Sequence, residues 1–234
     1  MASRLILVIG DLFIPDRAID IPAKFKKLLT PGKIGQVLCL GNLTAPSVYS
    51  FLRNLAPDVQ LVKGDYDLPL TSSNPAAPAG ASAAPESGYA VTTALSKVVT
   101  HGSLRIGFTH ADAIIPPGDP DALLIYARQM DVDVLCWGGT CRFEAYEMEG
   151  KFFVNPGSAT GAVSWVDEGL GGMGGGEEGA NDASEEDGNV PSFVLMDVQG
   201  DVLVLYVYQL RKDKEGNESV GVEKVSFRKG VAGG

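Results

Sequence analysis

Five places in this 234-residue chain set a side chain capable of metal or acid–base chemistry directly after an apolar run. The run 6–9 stops at Gly10-Asp11, 37–40 at Gly41-Asn42, and 61–63 at Gly64-Asp65-Tyr66-Asp67. The run 106–109 stops at His110, and 135–137 at Gly138-Gly139-Thr140-Cys141. Carboxylate, imidazole and thiolate are the donors that divalent transition metals use. Singly, each residue has an ordinary explanation. Asp or Asn after a strand is a turn residue or a helix cap. A lone His is more often a structural hydrogen-bonding group, and a lone Cys a small buried hydrophobe. Together they carry more. If the runs are parallel strands, their carboxyl ends share one edge of a sheet, where sites form. The glycines beside them permit tight turns and close backbone approach.

The elements that must position these residues follow from periodicity. Residues 4–9, 36–40 and 59–63 read as strands. Between them, 22–29 and 45–56 read as helices, the second with Val48, Phe51, Leu52 and Leu55 at helical spacing. Strand–helix–strand alternation implies a parallel sheet with right-handed crossovers. Further on, 97–100 and 104–109 form a hairpin about Gly102-Ser103, 121–130 a helix, and 132–137 a buried strand. Strand pairs 143–148 with 151–154 and 192–198 with 202–210 follow, then a last strand 220–228. The expected architecture is α/β: two packed, mixed β-sheets with helices outside, in one domain spanning 1–234.

Composition narrows the function. Net charge is −10, and eight of the 29 acids fall in 167–189, which has no Lys or Arg. The rest of the chain carries 21 acids against 19 bases, nearly neutral, so no basic stripe suits nucleic acid or anionic lipid. Residues 71–95, rich in Ala, Pro, Ser and Thr, and residues 167–189, rich in Gly and acid, lack apolar anchors and are expected to be mobile loops. Three cysteines without framework spacing suit a reduced, cytoplasmic protein. No run is long enough to span a bilayer, and the N-terminus lacks the features of a secretory signal.

The strand-end blocks resemble the calcineurin-like metallophosphoesterases, whose pattern is D-x-H, G-D, G-N-H-D/E, a lone His, and G-H-x-H. The corresponding residues are Asp11-Leu12-Phe13, Gly41-Asn42, Gly64-Asp65-Tyr66-Asp67, His110, and Gly138-Gly139-Thr140-Cys141. Asn155-Pro156-Gly157-Ser158 matches a turn of the small phosphodiesterase branch. Within that superfamily, 22–29, 155–162, 191–197 and 206–210 look like the small phosphoesterase-fold subunits of retromer, the endosomal cargo-recycling coat. The resemblance implies a four-layer αββα sandwich that docks on retromer's large α-solenoid subunit. It implies a cytoplasmic protein held peripherally on endosomal membranes through that complex, in endosome-to-Golgi retrograde transport.

The resemblance also implies that the chemistry is disabled. One metal would take Asp11, Phe13, Asn42 and Cys141, and phenylalanine cannot ligate. The other would take Asn42, Asp65, His110 and Gly139. Asn42 is neutral where a bridging anion belongs, and Tyr66, where the family has its general-acid His, is a poor acid at neutral pH. The remnant set Asp11, Asn42, Asp65 and His110 is thus expected to hold metal weakly or not at all, with no cofactor required. The opposing reading is a weak mononuclear phosphoesterase using Asp11, Asp65, His110 and a Cys141 thiolate. Partner surfaces remain. Ile114 and Ile115 lie in a Pro-rich loop after His110. Adjacent side chains in extended backbone point opposite ways, so one is expected to face out. The pair is expected to anchor a contact on the rim that by resemblance faces the α-solenoid subunit. Leu195, Tyr206 and Tyr208 match a region that holds regulatory proteins away from that contact.

Overall fold

Period-two alternation along the first strand separates two cores. The computed structural model describes residues 4–67, 93–163, 189–213 and 215–230. In β1 (Arg4–Ile9), Leu7 and Ile9 point into one apolar cluster while Ile6 and Val8 point into another. All four are fully buried, as expected of a central strand covered on both faces. β2 (Ile34–Cys39) repeats the division, with Val37 and Cys39 on one side and Leu38 on the other.

The first sheet adds β3 (Asp58–Leu61), β9 (Ser192–Gln199), β10 (Val202–Lys212) and β11 (Glu218–Arg228) in the order β11-β10-β9-β1-β2-β3. β1, β2 and β3 are parallel; β9, β10 and β11 run antiparallel to their neighbours. The second sheet holds β4 (Ser96–His101), β5 (Leu104–His110), β6 (Val134–Gly138), β7 (Phe143–Met148) and β8 (Lys151–Pro156), in the order β4-β5-β6-β8-β7. Its centre, β5-β6-β8, is parallel and its edges antiparallel.

Helices cover both outer faces. α1 (Ala23–Leu28) sets Phe25 edge-on to Phe193, ring centroids 4.7 Å apart. α2 (Pro46–Leu55) begins on a proline suited to a first helical turn and buries Val48, Leu52 and Leu55. On the other side, α3 (Pro120–Gln129) is capped by Asp119, whose carboxylate accepts from Ala122 N at 2.8 Å. It buries Leu123, Leu124 and Ala127 against Leu135, Trp137 and Phe153. These are the four layers of an αββα sandwich, the expected fold.

The strand and helix boundaries read from periodicity hold to within two residues throughout. A 3-10 turn at Ala111–Ala113, just beyond His110, was not legible in advance. The apolar character of β10 on both faces resolves into two environments. Leu203, Leu205 and Val207 are buried between the sheets, while Tyr206 and Tyr208 are half-buried on the outer side. His101 is buried, with its Nε2 2.8 Å from Gln36 Oε1.

The two expected loops lie outside the described residues except at their last positions. There the chain is anchored: Lys63 N donates to Ala94 O at 2.8 Å, Thr109 Oγ1 to Leu95 O at 2.9 Å, and Asn189 Nδ2 to Ala162 O at 2.8 Å. The segments expected to be replaceable are therefore narrowed from 71–95 and 167–189 to 71–92 and 167–188. Exchanging each for a short Gly/Ser link should leave the melting temperature nearly unchanged, because loop closure entropy grows slowly with length. A cooperative loss of stability by calorimetry on exchanging either would show that it packs.

Candidate functional site: a remnant two-metal rim

The parallel strands of the two sheets end at the same edge of the sandwich, and their loops interlock there. Asp11 N, Leu12 N and Phe13 N all donate to the Gly41–Asn42 backbone, at 3.2, 3.1 and 3.1 Å. Five non-glycine residues of this rim have positive φ: Asp11, Phe13, Asn42, Thr44 and Cys141. Each such conformation costs on the order of 1 kcal/mol and persists only where its surroundings over-determine it. The crossing of two loops is part of that determination. A Cβ on Gly41 would lie 2.6 Å from Gly64 N, and one on Gly64 would lie 2.3 Å from Asn42 Oδ1, so both positions admit only glycine.

Asp67 locks this crossing. Its buried carboxylate accepts from Asn42 N at 2.8 Å, Gly64 N at 2.9 Å and Thr44 N at 3.2 Å. The turn after β8 braces the opposite side. Ser158 Oγ donates to Asp11 O at 2.7 Å and Thr160 Oγ1 to Leu12 O at 2.9 Å, while Asn155 Nδ2 reaches Thr140 Oγ1 at 2.8 Å. The roles of Asp67, Ser158 and Thr160 emerge only from these contacts. A carboxylate two residues after Asp65 and the Asn-Pro-Gly-Ser turn were the visible signals.

The structure brings together Asp11, Asn42, Asp65 and His110. Asp11 is fully buried, and its Oδ2 accepts from Gly139 N at 2.6 Å. Burial raises its carboxyl above the usual range, with the nearby His110 and the hydrogen bonds of Gly139 and Asn42 opposing that rise. His110 is also buried, with Nδ1 2.8 Å from Leu40 O, so Nδ1 carries a hydrogen. Its Nε2 lies 3.1 Å from Asp65 Oδ1. Burial disfavours the imidazolium, but the hydrogen bond to Asp65, the charge of Asp11 and the Leu40 carbonyl overcome it and push His110 up to about 9. Burial likewise works against the Asp65 carboxylate, yet the hydrogen bonds from His110 and Asn42 hold it below the usual range. Asn42 Nδ2 sits between these groups, 3.0 Å from Asp65 Oδ1, 3.2 Å from His110 Nε2 and 3.4 Å from Asp11 Oδ1.

The other half of the rim is apolar. Phe13 and Cys141, at two first-metal positions of the family pattern, pack together with Ala162 as a small buried cluster. Phe13 meets Tyr66 edge-on at 5.4 Å, and the Arg17 guanidinium lies 4.0 Å from the Phe13 ring centre and 4.7 Å from that of Tyr66. Gly139 stands where the family has a ligating His. Its φ is +100°, and a Cβ there would lie 2.8 Å from Ala111 Cβ. The donor set therefore does not fit a two-ion centre: one half is filled by hydrocarbon, and a histidine at 139 has no room. Among the described residues, no three His, Cys, Asp or Glu side chains are grouped so as to hold a metal ion.

The neighbouring isoleucines are not equivalent. The backbone is extended at Ile114, which turns inward, 3% exposed, and packs with Leu123, Leu135 and Trp137. Ile115 points outward and is 86% exposed. The expectation that both are surface anchors is corrected accordingly: Ile114 belongs to the core beneath α3. On the far side of the first sheet, Leu195 and Tyr206 face each other in register, and Tyr208 stacks on Phe193 at 4.7 Å. Leu195 is 9% exposed and the two tyrosines are half-buried, so the patch presents mainly aromatic faces.

Residues 5–169 match the calcineurin-like phosphoesterase superfamily domain. The vacuolar protein sorting-associated protein 29 of Schizosaccharomyces pombe is 44% identical over 225 residues, which is 96% of this chain and 98% of that protein. Vps29 of Chaetomium thermophilum is 50% identical with a TM-score of 0.76, covering 97% of this chain and 99% of that one; it has also been solved with a RaPID-derived cyclic peptide. Wild-type Vps29 of Entamoeba histolytica complexed with zinc is 37% identical with a TM-score of 0.71, covering 96% and 99%.

Two measurements check this geometry. Asp67→Ala leaves three backbone N–H groups without their acceptor and should cost about 3 kcal/mol or more in urea denaturation, while Asp67→Asn keeps one acceptor oxygen and should lose less. Separately, because His110 is raised when folded, the stability it contributes is complete below the ordinary histidine range, about 6.5, and is lost as pH rises through about 9. Denaturation across that window should show the decline, and Asp65→Asn should flatten it. An identical slope in the variant would separate the effect from the His110–Asp65 pair.

Proposed function

Because the chain belongs to the vacuolar protein sorting 29 family within the calcineurin-like phosphoesterase superfamily, we propose that it is a non-catalytic scaffold subunit of retromer. In this reading it docks on the large α-solenoid subunit, recruits regulatory proteins on a separate face, and reaches endosomal membranes only through the complex. No helix among the described residues is long and apolar enough to cross a membrane. The observation that carries the proposal is Ile115, a large aliphatic side chain 86% exposed on the loop beside a rim that cannot complete a two-metal centre. Gly118, in the same loop, approaches Thr140 of the rim, where a Cβ would lie 3.5 Å from its methyl group. Tyr66, elsewhere on the rim, is also exposed. An exposed apolar cluster of this kind marks an interface.

Phosphoester hydrolysis by the family route needs two cations that clamp the phosphate and generate a hydroxide. Phe13, Gly139 and the apolar packing of Cys141 argue against it. Leu195, Tyr206 and Tyr208 form the second proposed surface, for regulators, and the cyclic-peptide complex of the Chaetomium relative supports peptide binding as a family capacity. A weak mononuclear phosphoesterase is the second reading. It is favoured by the convergence of Asp11, Asp65 and His110 and by the zinc complex of the Entamoeba relative. The upward push on His110 opposes it, since an ion at Nε2 competes with a proton there.

Fully burying an isoleucine contributes about 1.5–3 kcal/mol, and desolvating an unpaired carboxylate costs more. Ile115→Asp should therefore abolish co-purification with the α-solenoid subunit and leave circular dichroism unchanged. Leu195→Glu should spare that complex and weaken regulator binding only. Normal assembly of a natively folded Ile115→Asp protein would mean that the rim is not the docking surface.

A further inference from the structure

The carboxamide of Asn42 does more than fail to supply a bridging anion. Its orientation is fixed from both ends. Oδ1 accepts from Tyr66 N at 3.0 Å, and the Asn42 backbone N–H is held by Asp67 at 2.8 Å. Turning the amide over would set its NH2 group against the Tyr66 N–H, donor against donor. Nδ2 therefore points inward and donates its two hydrogens to Asp65 Oδ1 at 3.0 Å and Asp11 Oδ1 at 3.4 Å, with His110 Nε2, itself turned to Asp65, 3.2 Å away. These three side chains are the surviving candidate ligands, and the amide hydrogens lie where they would otherwise converge on an ion.

The cluster has need of such a donor. Asp11 is fully buried, and the carboxylate of Asp65, itself about half exposed, faces it across the same space. Buried carboxylates without partners are strongly unfavourable, and two together repel. In a two-metal enzyme the ions supply the compensating positive charge. Here the chain itself supplies compensation to Asp11 through the Asn42 amide, the Gly139 and Cys141 backbone and His110.

We propose that the Asn42 amide is an internal replacement for the cation: it closes the old ligand cage by hydrogen bonds, so the fold needs no metal, and a divalent ion must displace it to enter. The orphaned ligands are thereby structural, holding the ends of β1, β2 and β5 in register with the β3–Asp65 loop. This stands apart from the docking proposal, since it concerns the cage beneath the rim and not the surface that a partner would cover.

The test is Asn42→Asp, nearly isosteric and tolerant of the same positive φ. It exchanges an inward donor for a third carboxylate. In chelator, the wild-type melting temperature should match that in zinc or manganese, whereas Asn42→Asp should melt lower in chelator and recover when either metal is added. By calorimetric titration the variant should bind zinc about tenfold tighter or more than wild type, as expected when a ligand shell is completed. Wild-type protein that loses stability on chelation would overturn the proposal, as would a variant equally stable in chelator and no tighter for zinc. A measurement on 15N-labelled wild-type protein needs no variant. In chelator the Asn42 side-chain amide protons should exchange slowly with solvent; rapid exchange would show that the amide is not held in the cage.

Discussion

The rim depends on one carboxylate that never faces solvent as a functional group. Asp67 gathers the backbone N–H groups of Asn42, Thr44 and Gly64 onto its two oxygens and so clamps two loops at a separation only glycines allow. That clamp fixes Asn42 in a left-handed conformation. The Asn42 carbonyl then accepts from Leu12 and Phe13, which sets the strained turn carrying Asp11. A buried charge satisfied by three backbone donors is stable because each bond is charge-assisted and screened from water. The strained backbone at Asp11, Phe13, Asn42 and Thr44 is the geometry this clamp maintains.

The two halves of the old metal site have departed from it by different physics. At Phe13 and Cys141 the polar space is filled: hydrocarbon packs with Ala162, and Tyr66 and Arg17 close over the outside. At Asp11, Asp65 and His110 the polar groups remain, and their charges are balanced by one another and by amide hydrogens. The first change removes a ligand position outright. The second keeps the cage and alters what fills it. Gly139 belongs to the first kind, since the loop now runs too close to Ala111 for any side chain.

The surfaces follow from the same scaffold. The 3-10 turn after β5 redirects the chain so that Ile114 enters the core beneath α3 while Ile115 is lifted to the edge of the rim. On the outer face of the β9–β10–β11 ribbon, α1 sets Phe25 on Phe193 and bonds Glu218 through Lys24, while Tyr206 and Tyr208 stay half covered. One apolar surface is thus a property of a loop at the strand-end rim and the other of a half-covered sheet face.

Local pattern was enough to read the strands, the helices and the strand-end residues, because periodicity and glycine placement act over a few positions. The assembly of Asp11, Asn42, Asp65 and His110 was legible for the same reason: parallel strands bring their carboxyl ends to one edge whatever their distance in the chain. The alternation rule placed one isoleucine of the pair outward, but only the 3-10 turn decided which. Tertiary structure alone also set the inward face of the Asn42 amide, the hydrogen-bond partners of His110 and the apolar filling around Phe13. The first two rest on bonds between residues 23 to 70 positions apart, and each is decided by which atom of a neighbour lies across the gap. Residue type records that a side chain can donate or accept; only the fold determines what stands opposite it.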